Sequence, residues 1–416
     1  MQIDVMKEQG NVMKKMTRFL LGMLKIGCIG FGGGSALIPV IEREFVGKDK
    51  LDTKENYEKD ILVASLTPGA LPVELASSLG WRNFGVFGML LGAVCMALPG
   101  VASTLLLLTV LGPLREKVGM LMELLTIAIS VFIIYLIIHY IRKVCKRSRE
   151  FSWMFLIRAV LVMIGVFALS CGKNLYKLLG IQGKPVLCFS TFSILLVAFV
   201  AILCINFYRG WKKTRKARNI EMPRSTKKQG RAIRTVVLVW VLFLFACSVP
   251  AFLFSVYRQS AGDFFCFLGR GCLSVVMSFG GGDAYLAVAD GLFVESAMVT
   301  DNVFYGDVVS VANILPGSIL GKALTAVGYY YGMSITGSHV GGLLFALSGF
   351  AASVTLSCLV FEVIYHLYDR ISGFRSMQTI GHYIGPIIAG LLGTVILALL
   401  VQCKEAVLAL TSVALF

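Results

Sequence analysis

Charge is scarce in this chain. Of its 416 residues, 15% are Asp, Glu, Lys or Arg, where a soluble domain carries about a quarter. Acids are the scarcer sign, 23 against 39 Lys and Arg. Histidine occurs four times, as the isolated His139, His339, His366 and His382 near the ends of predicted segments. These are read as structural or interfacial. Eleven cysteines are scattered through apolar segments without the paired spacing of a metal site, so they read as small hydrophobes. No nucleophile–base motif, metal constellation or phosphate-binding loop is present, which argues against an enzyme and against ATP-driven transport by this chain alone. No cofactor is expected. The first 18 residues are polar and mixed in charge, unlike a cleaved signal peptide.

What the chain has instead is apolar length. Hydrophobic residues make up 57% of it and the mean hydropathy is +0.81. The stretches Met120–Ile141, Val186–Phe207, Thr235–Val256 and Ile380–Val401 approach or exceed the roughly 20 residues that cross a bilayer. The expected fold is an all-α polytopic membrane protein. The net charge of +16 is concentrated: eleven Lys and Arg lie between Arg209 and Arg234 against the single acid Glu221, and Arg142, Lys143, Lys146, Arg147 and Arg149 form a second cluster. Both clusters flank apolar segments, where Lys and Arg mark the cytoplasmic side, so they report topology and no nucleic-acid partner. The N-terminus and loop 209–234 are placed in the cytoplasm of a cell-membrane protein.

Two parts of the chain repeat. Phe31-Gly32-Gly33-Gly34 recurs as Phe279-Gly280-Gly281-Gly282, and Pro68-Gly69 as Pro316-Gly317, both 248 positions later. Phe45-Val46 recurs as Phe293-Val294 at the same offset, and Ala97-Leu98-Pro99-Gly100 matches Ala346-Leu347-Ser348-Gly349 after a one-residue slip. Apolar segments broken by Gly and Pro at matched places in two halves point to the binding site of a secondary transporter. The division is a first repeat over 1–141, connecting segments and the basic loop over 142–262, a second repeat over 263–402, and a short apolar tail, 403–416.

The basic clusters orient the repeats. With 142–149 and 209–234 in the cytoplasm, 153–172 and 186–208 form an out-and-back pair, 120–141 runs inward and 85–112 outward. Segments 11–47 and 53–82 either cross fully or dip in and return. The 42–60 connection holds Arg43, Lys48, Lys50, Lys54 and Lys59 beside seven acids, whereas 291–306 has only Glu295 and Asp301 as charges. Hairpins put the first inside and the second outside, as the positive-inside rule prefers. Each half of 11–47 also supplies only about a dozen apolar residues, too few to span. Non-helical backbone at membrane depth must be shielded by protein or face a water-filled cavity. An odd number of crossings then separates the repeats, so the expectation is two inverted-topology repeats with broken or re-entrant helix hairpins.

Each break starts a helix. One is expected after Gly32-Gly33-Gly34, from near Ser35 toward Glu42. Another is expected after Pro68-Gly69, from Ala70 or Leu71, with Pro72 in its first turn. The second half repeats this from Gly282-Asp283 and from Ser318. Four helix N-termini would present unpaired N–H groups and partial positive charge, a site for an oxyanion. Glycines there let backbone amides approach a ligand, whereas Gly88/Gly92 and Gly381/Gly385 have the spacing of helix packing. Intramembrane ionisable residues are costly and usually functional. Glu74 lies six residues after Pro68 and Lys322 six after Pro316: Lys322 is assigned to attract an anion, Glu74 to bind a coupling proton or cation. The two as a structural ion pair is the bland alternative. Lys25 and Arg270 precede the glycine breaks and add positive potential. Asp283 doubles as a helix N-cap. Arg82 and Glu42-Arg43-Glu44 are assigned to membrane edges, by snorkelling or loop pairing.

At these residues the chain resembles the chromate ion transporter family. The resemblance rests on the Phe-Gly-Gly motif at the start of each half, the Pro-Gly motif one segment later, and a Gly-rich segment ending in Leu-Pro, here Gly85–Pro99. Phe31–Val46, with Glu42-Arg43-Glu44-Phe45, is the stretch most like the family. It covers roughly 19–110 and, more weakly, 264–365. Gly34 and Gly282 stand where the family commonly has proline, Ala70 and Ser318 where it commonly has the second proline of Pro-Gly-Pro, and Glu74 where a polar uncharged residue is usual. The resemblance implies a secondary transporter of a small inorganic oxyanion, chromate or a sulfate-like anion, working by alternating access. The alternatives are a passive anion channel, a transporter of a different small solute, and a membrane scaffold. The small-xxx-small motifs are compatible with a homodimer without requiring one.

Overall fold

A computed structural model of the chain describes residues 2–29, 37–64, 67–115, 119–179, 197, 227–278 and 282–371. Near the C-terminus it describes 385–387, 389–397, 399–401, 403–404 and 407–408. Among these residues there are helices and turns and no strand. Four helices are apolar and long enough to cross a membrane: Leu71–Thr109, Trp153–Ser170, Gly230–Tyr257 and His339–Leu367. This is a multi-pass, all-α membrane protein. Gly32, Gly33, Gly34, Ser35, Gly280 and Gly281 lie outside the described residues, as do the 186–208 segment (apart from residue 197), most of the 209–234 loop, and Gly381.

The first repeat is a series of reversals. Helix α1 (Gln2–Ile29) is followed by α2 (Ile38–Ile41), which runs into a π-helical turn, Glu42–Lys48. In a continuous helix Gly22 and Phe45 would lie about 35 Å apart. Instead a Cβ on Gly22 would come within 2.7 Å of Phe45 Cζ, and the rings of Phe19 and Phe45 are 5.3 Å apart. The chain therefore folds back between them. Leu37, Ile41 and Phe45, four residues apart, form one buried stripe against Phe19, Met23 and Ile26. Helix α3 (Lys54–Ala64) and the start of α4 (Leu71–Arg115) form a second hairpin, since Asp60 Oδ1 accepts from Ser78 Oγ at 3.0 Å. The chain thus reverses in both segments.

Helix α4 holds a further reversal. Gly85 leaves the helical region (φ 63°, ψ −146°), and Gly80 meets Gly88 while Ala76 meets Gly92, each pair equidistant from Phe84. A Cβ at Gly80 would sit 2.0 Å from the Gly88 carbonyl oxygen. The Gly88/Gly92 spacing thus serves close helix packing, as expected. After the long helices α5 (Gly119–Phe151), α6 (Trp153–Ser170), short α7 (Gly172–Leu179) and α8 (Lys227–Tyr257), the second half repeats the order. Helix α9 (Ala261–Val276) precedes α10 (Gly282–Ala289), which again runs into a π-helical turn, Asp290–Val294. A second π-helical stretch, Asn302–Val309, leads into α11 (Ser310–Ile314), and then come α12 (Ile319–Thr336) and α13 (His339–Ile371). Gly337, at φ 63°, reverses the chain between the last two. Gly328 and Gly332 there pack on Phe345.

The chain divides into two compact units, each drawing on both repeats: Met1–Leu105, Ser225–Val276 and Ile314–Leu367 in one, Leu106–Arg224, Met277–Asn313 and Tyr368–Phe416 in the other. In the first, Val236 and Trp240 of α8 and Phe350 and Val354 of α13 complete the core around Phe19, Phe45 and Met89. In the second, α5 packs on α6, Gly390 and Gly393 fit against Val166 and Phe167 of α6, and Lys177 pairs with Asp301 at 2.5 Å.

Candidate site at the Pro-Gly breaks

Both Pro-Gly pairs lie in the first unit, and both have a backbone only glycine tolerates. Gly69 has φ 140° and Gly317 φ 97°, beyond the usual reach of L side chains. Space forbids a side chain as well. A Cβ at Gly69 would lie 2.3 Å from Glu74 Oε1 and 2.8 Å from Ser357 Oγ, and one at Gly317 would lie 3.2 Å from the Gly100 Cα. The breaks are thereby locked against the opposite repeat. The Ala70 N–H donates to Ser357 Oγ of α13 at 3.2 Å, while Pro316-Gly317 sits on Gly100 of α4 and close to Gly27 near the end of α1.

Each break carries one buried ionisable group. Glu74, fully buried, accepts a hydrogen bond from Thr67 Oγ1 at 3.3 Å on Oε2, and its Oε1 has no hydrogen-bond partner. Lys322 is 1% exposed and donates from Nζ to the Leu315 carbonyl. Its stem runs alongside Gly100. Neither group makes an ion pair among the described residues, so the structural Glu74–Lys322 pair is not formed. Ser318 is the N-cap of α12 in extended conformation, without a side-chain capping bond. Ala70 and Ser318 are both buried. An uncapped N-terminus with a lysine one turn in presents donors and positive charge together.

Lys25 is exposed on α1 and Arg270 half-buried on α9. Gly282 and Asp283 open α10, in the second unit. After the first glycine triplet only Ile38–Ile41 is α-helical before the π-helical turn, shorter than the helix expected through Glu42. Arg82 is held by Asp52 from the loop and Asp60 from α3, the loop pairing expected of it.

A family model described as chromate transporter matches residues 17–183 and 264–416. The chain belongs to the chromate transporter family. A chromate transport protein of Pseudomonas aeruginosa is 21% identical over 89% of this chain and 77% of its own length. A chromate transport protein of Cupriavidus metallidurans is 30% identical over 22% of this chain and 23% of its own. A probable chromate transport protein of Synechococcus elongatus is 30% identical over 21% of each chain, so the match spans about a fifth of that relative. No solved structure matches.

Sequence reasoning missed three features of this family member. The first is a tyrosine at the same place in each repeat: the Tyr57 hydroxyl donates to the Ile38 carbonyl at 2.7 Å, and that of Tyr305 to Asp290 Oδ1 at 2.6 Å. Both the tyrosines and the acids Glu42 and Asp290 are 248 positions apart, a signal available but unread. The second is the Asp52–Arg82–Asp60 cluster, legible only as separate edge charges. The third is Glu362 on α13, 1% exposed, which accepts from Ser77 Oγ at 2.8 Å. It lies in the Phe361–Tyr365 stretch of a long apolar helix, and nothing periodic singles it out.

Proposed function

We propose that this protein is a secondary transporter of a small inorganic oxyanion, chromate or a sulfate-like anion. Binding is at the Pro-Gly breaks, and the two repeats are inverted so that the site alternates between faces. One observation carries the reading: Lys322 is buried beside an uncapped helix N-terminus, with a lone carbonyl acceptor and no acid beside it among the described residues. An ammonium so placed costs several kcal/mol relative to water, and a bound oxyanion supplies the missing countercharge. Backbone donors at Gly317 and Ser318, and at Gly69, add hydrogen bonds of the kind that hold oxyanions at helix starts, while Ala70, whose N–H is held by Ser357 Oγ, fixes the shape of the first break. The sequence argument for oxyanion binding extends to the glycine triplets, Gly32-Gly33-Gly34 with Ser35 and Gly280-Gly281-Gly282 with Asp283, each taken within its own unit. Lys25 and Arg270 contribute potential from a distance, and Glu74 holds the coupling proton or cation. The relatives named for chromate transport make chromate the first substrate to try.

The test is uptake of labelled chromate and sulfate into vesicles holding the purified full chain, with and without imposed pH and potential gradients. Accumulation above the external concentration supports the proposal. Equilibration alone indicates a channel, and no movement of either anion points to another solute.

A further inference from the structure

A second acid joins Glu74 in the first unit. Ser77 lies one turn after Glu74 on α4, and its hydroxyl donates to Glu362 Oε1 on α13. The α4–α13 contact at this level is otherwise small and close: Cys358 Sγ approaches the Val73 carbonyl at 3.8 Å, and Ser357 holds the Ala70 N–H. Glu74 and Glu362 are both essentially without exposure. Each keeps one carboxylate oxygen, Glu74 Oε1 and Glu362 Oε2, buried and without a hydrogen-bond partner. As carboxylates, two buried acids whose second oxygens have no hydrogen-bond partner carry a large desolvation cost, which a bound proton removes.

We propose that Glu74, Ser77 and Glu362 form a proton-binding site in which the two carboxyls exchange a proton, and that this proton is the one coupled to oxyanion movement. The proposal rests on the transporter reading above for its second half only. Two acids held close together in low dielectric cannot both be charged without large cost, so the site takes up one proton and releases it when its surroundings change. The other ionisable groups facing it are few. Asp60 and Arg82 lie toward Glu362 from α3 and α4, and Arg82 is shared between Asp60 and Asp52. Cys358 lies beside both acids. His366, one turn beyond Glu362, has Nδ1 3.9 Å from Oε2 and is 14% exposed. That Nδ1 already meets the Glu362 carbonyl at 2.7 Å, and Tyr365 next to it is bonded to Arg82 and under Lys59. A metal cation fits less well, since no group of three acidic, His or Cys ligands occurs among the described residues.

Two experiments on the full-length protein test this. In vesicles, wild type is expected to take up oxyanion faster under an imposed pH gradient than at equal pH, with no response to a sodium gradient. In E74Q and E362Q the ratio of gradient-driven to equal-pH uptake falls to one, while E362D restores part of it. Persistence of the pH response in both variants, or a sodium response in wild type, overturns the proposal. Infrared spectra of the detergent-solubilised protein provide the second test, which needs no transport. A protonated-carboxyl stretching band that titrates with pH is expected in wild type and is lost or displaced in each Gln variant. Its absence in wild type overturns the site even if the oxyanion reading stands. Its presence with no oxyanion moved keeps the site and rejects the transport reading.

Discussion

Lys322 closes back across Pro316-Gly317 onto the carbonyl of Leu315, seven residues upstream. Glu74 closes in the same way across Pro68-Gly69 onto Thr67, also seven upstream. The two repeats thus share one device, a helix whose first-turn ionisable group caps the break that precedes it, with the sign of the charge exchanged. The device explains why an acid and a base occupy equivalent places without pairing. Each is turned toward its own break.

Replacing Lys322 by Ala removes the charge and is expected to weaken oxyanion binding by about 1.5–3 kcal/mol, the range for a hydrogen bond to a charged group, or roughly ten- to a hundred-fold in Kd. Lys322→Arg keeps the charge in a bulkier fork and should fall between. Titration calorimetry with chromate and with sulfate checks this. An unchanged Kd in Lys322→Ala places the anion elsewhere.

Gly69→Ala tests the first break. Its Cβ meets Glu74 Oε1 and Ser357 at a φ of 140°, so strain of about 1–3 kcal/mol is expected from backbone alone. The collision adds to it. Shortening Glu74 in the double variant Gly69→Ala/Glu74→Ala should relieve the Glu74 part of the collision and leave the contact with Ser357 and the backbone strain, giving a non-additive pair. Thermal unfolding of the detergent-solubilised proteins reads the difference. Additive losses would show that Glu74 does not press on Gly69.

Much of this geometry is legible in the sequence. The offset of 248 between Phe31 and Phe279 and between Pro68 and Pro316 located both breaks, because a chain that must reverse at membrane depth needs Gly and Pro where its helices end. The reversal at Gly85 is legible as the boundary between 53–82 and 85–112, where Arg82-Asn83 interrupts the apolar residues, whereas the one at Gly337, among Ser334, Thr336, Ser338 and His339, is not assigned from it. The π-helical turns after Ile41 and Ala289 left no signal in hydropathy, since one extra residue per turn changes neither composition nor length. Glu362 was invisible for a different reason. Its partner Ser77 is 285 residues away, and a single acid in an apolar helix does not announce what faces it.

Arg82 tests how the second hairpin is held shut. Its guanidinium bonds Asp60, which is wholly buried, and Asp52 from the loop, and it also meets Ser78 and Tyr365. Arg82→Ala leaves Asp60 buried without a cation and is expected to cost about 3–5 kcal/mol. Arg82→Lys offers a point charge where a fork bridges two acids and should recover less than half. In Arg82→Ala/Asp60→Asn most of the loss should return, because no buried charge remains unpaired. Unfolding measurements in which Asp60→Asn rescues nothing would assign the loss to Tyr365 and Ser78 instead.

The orientation of the repeats is open to direct measurement, because each first hairpin ends in an exposed connection. Glu55 and Thr300 are both exposed there, and they lie on the Lys-rich and Lys-free connections respectively. Cys28 and Cys266, the exposed cysteines among the described residues, are first replaced by Ser so that labelling reports the introduced thiol. Inverted repeats with returning hairpins place Glu55→Cys in the cytoplasm and Thr300→Cys outside, so a membrane-impermeant thiol reagent added to intact cells should modify only Thr300→Cys. Full crossings exchange the two results, since the positive-inside preference of 42–60 would then be violated along with that of 291–306. Labelling of both from the same side would mean that the repeats are parallel. The two breaks would then face the same way, and a site alternating between faces by inversion would lose its physical basis.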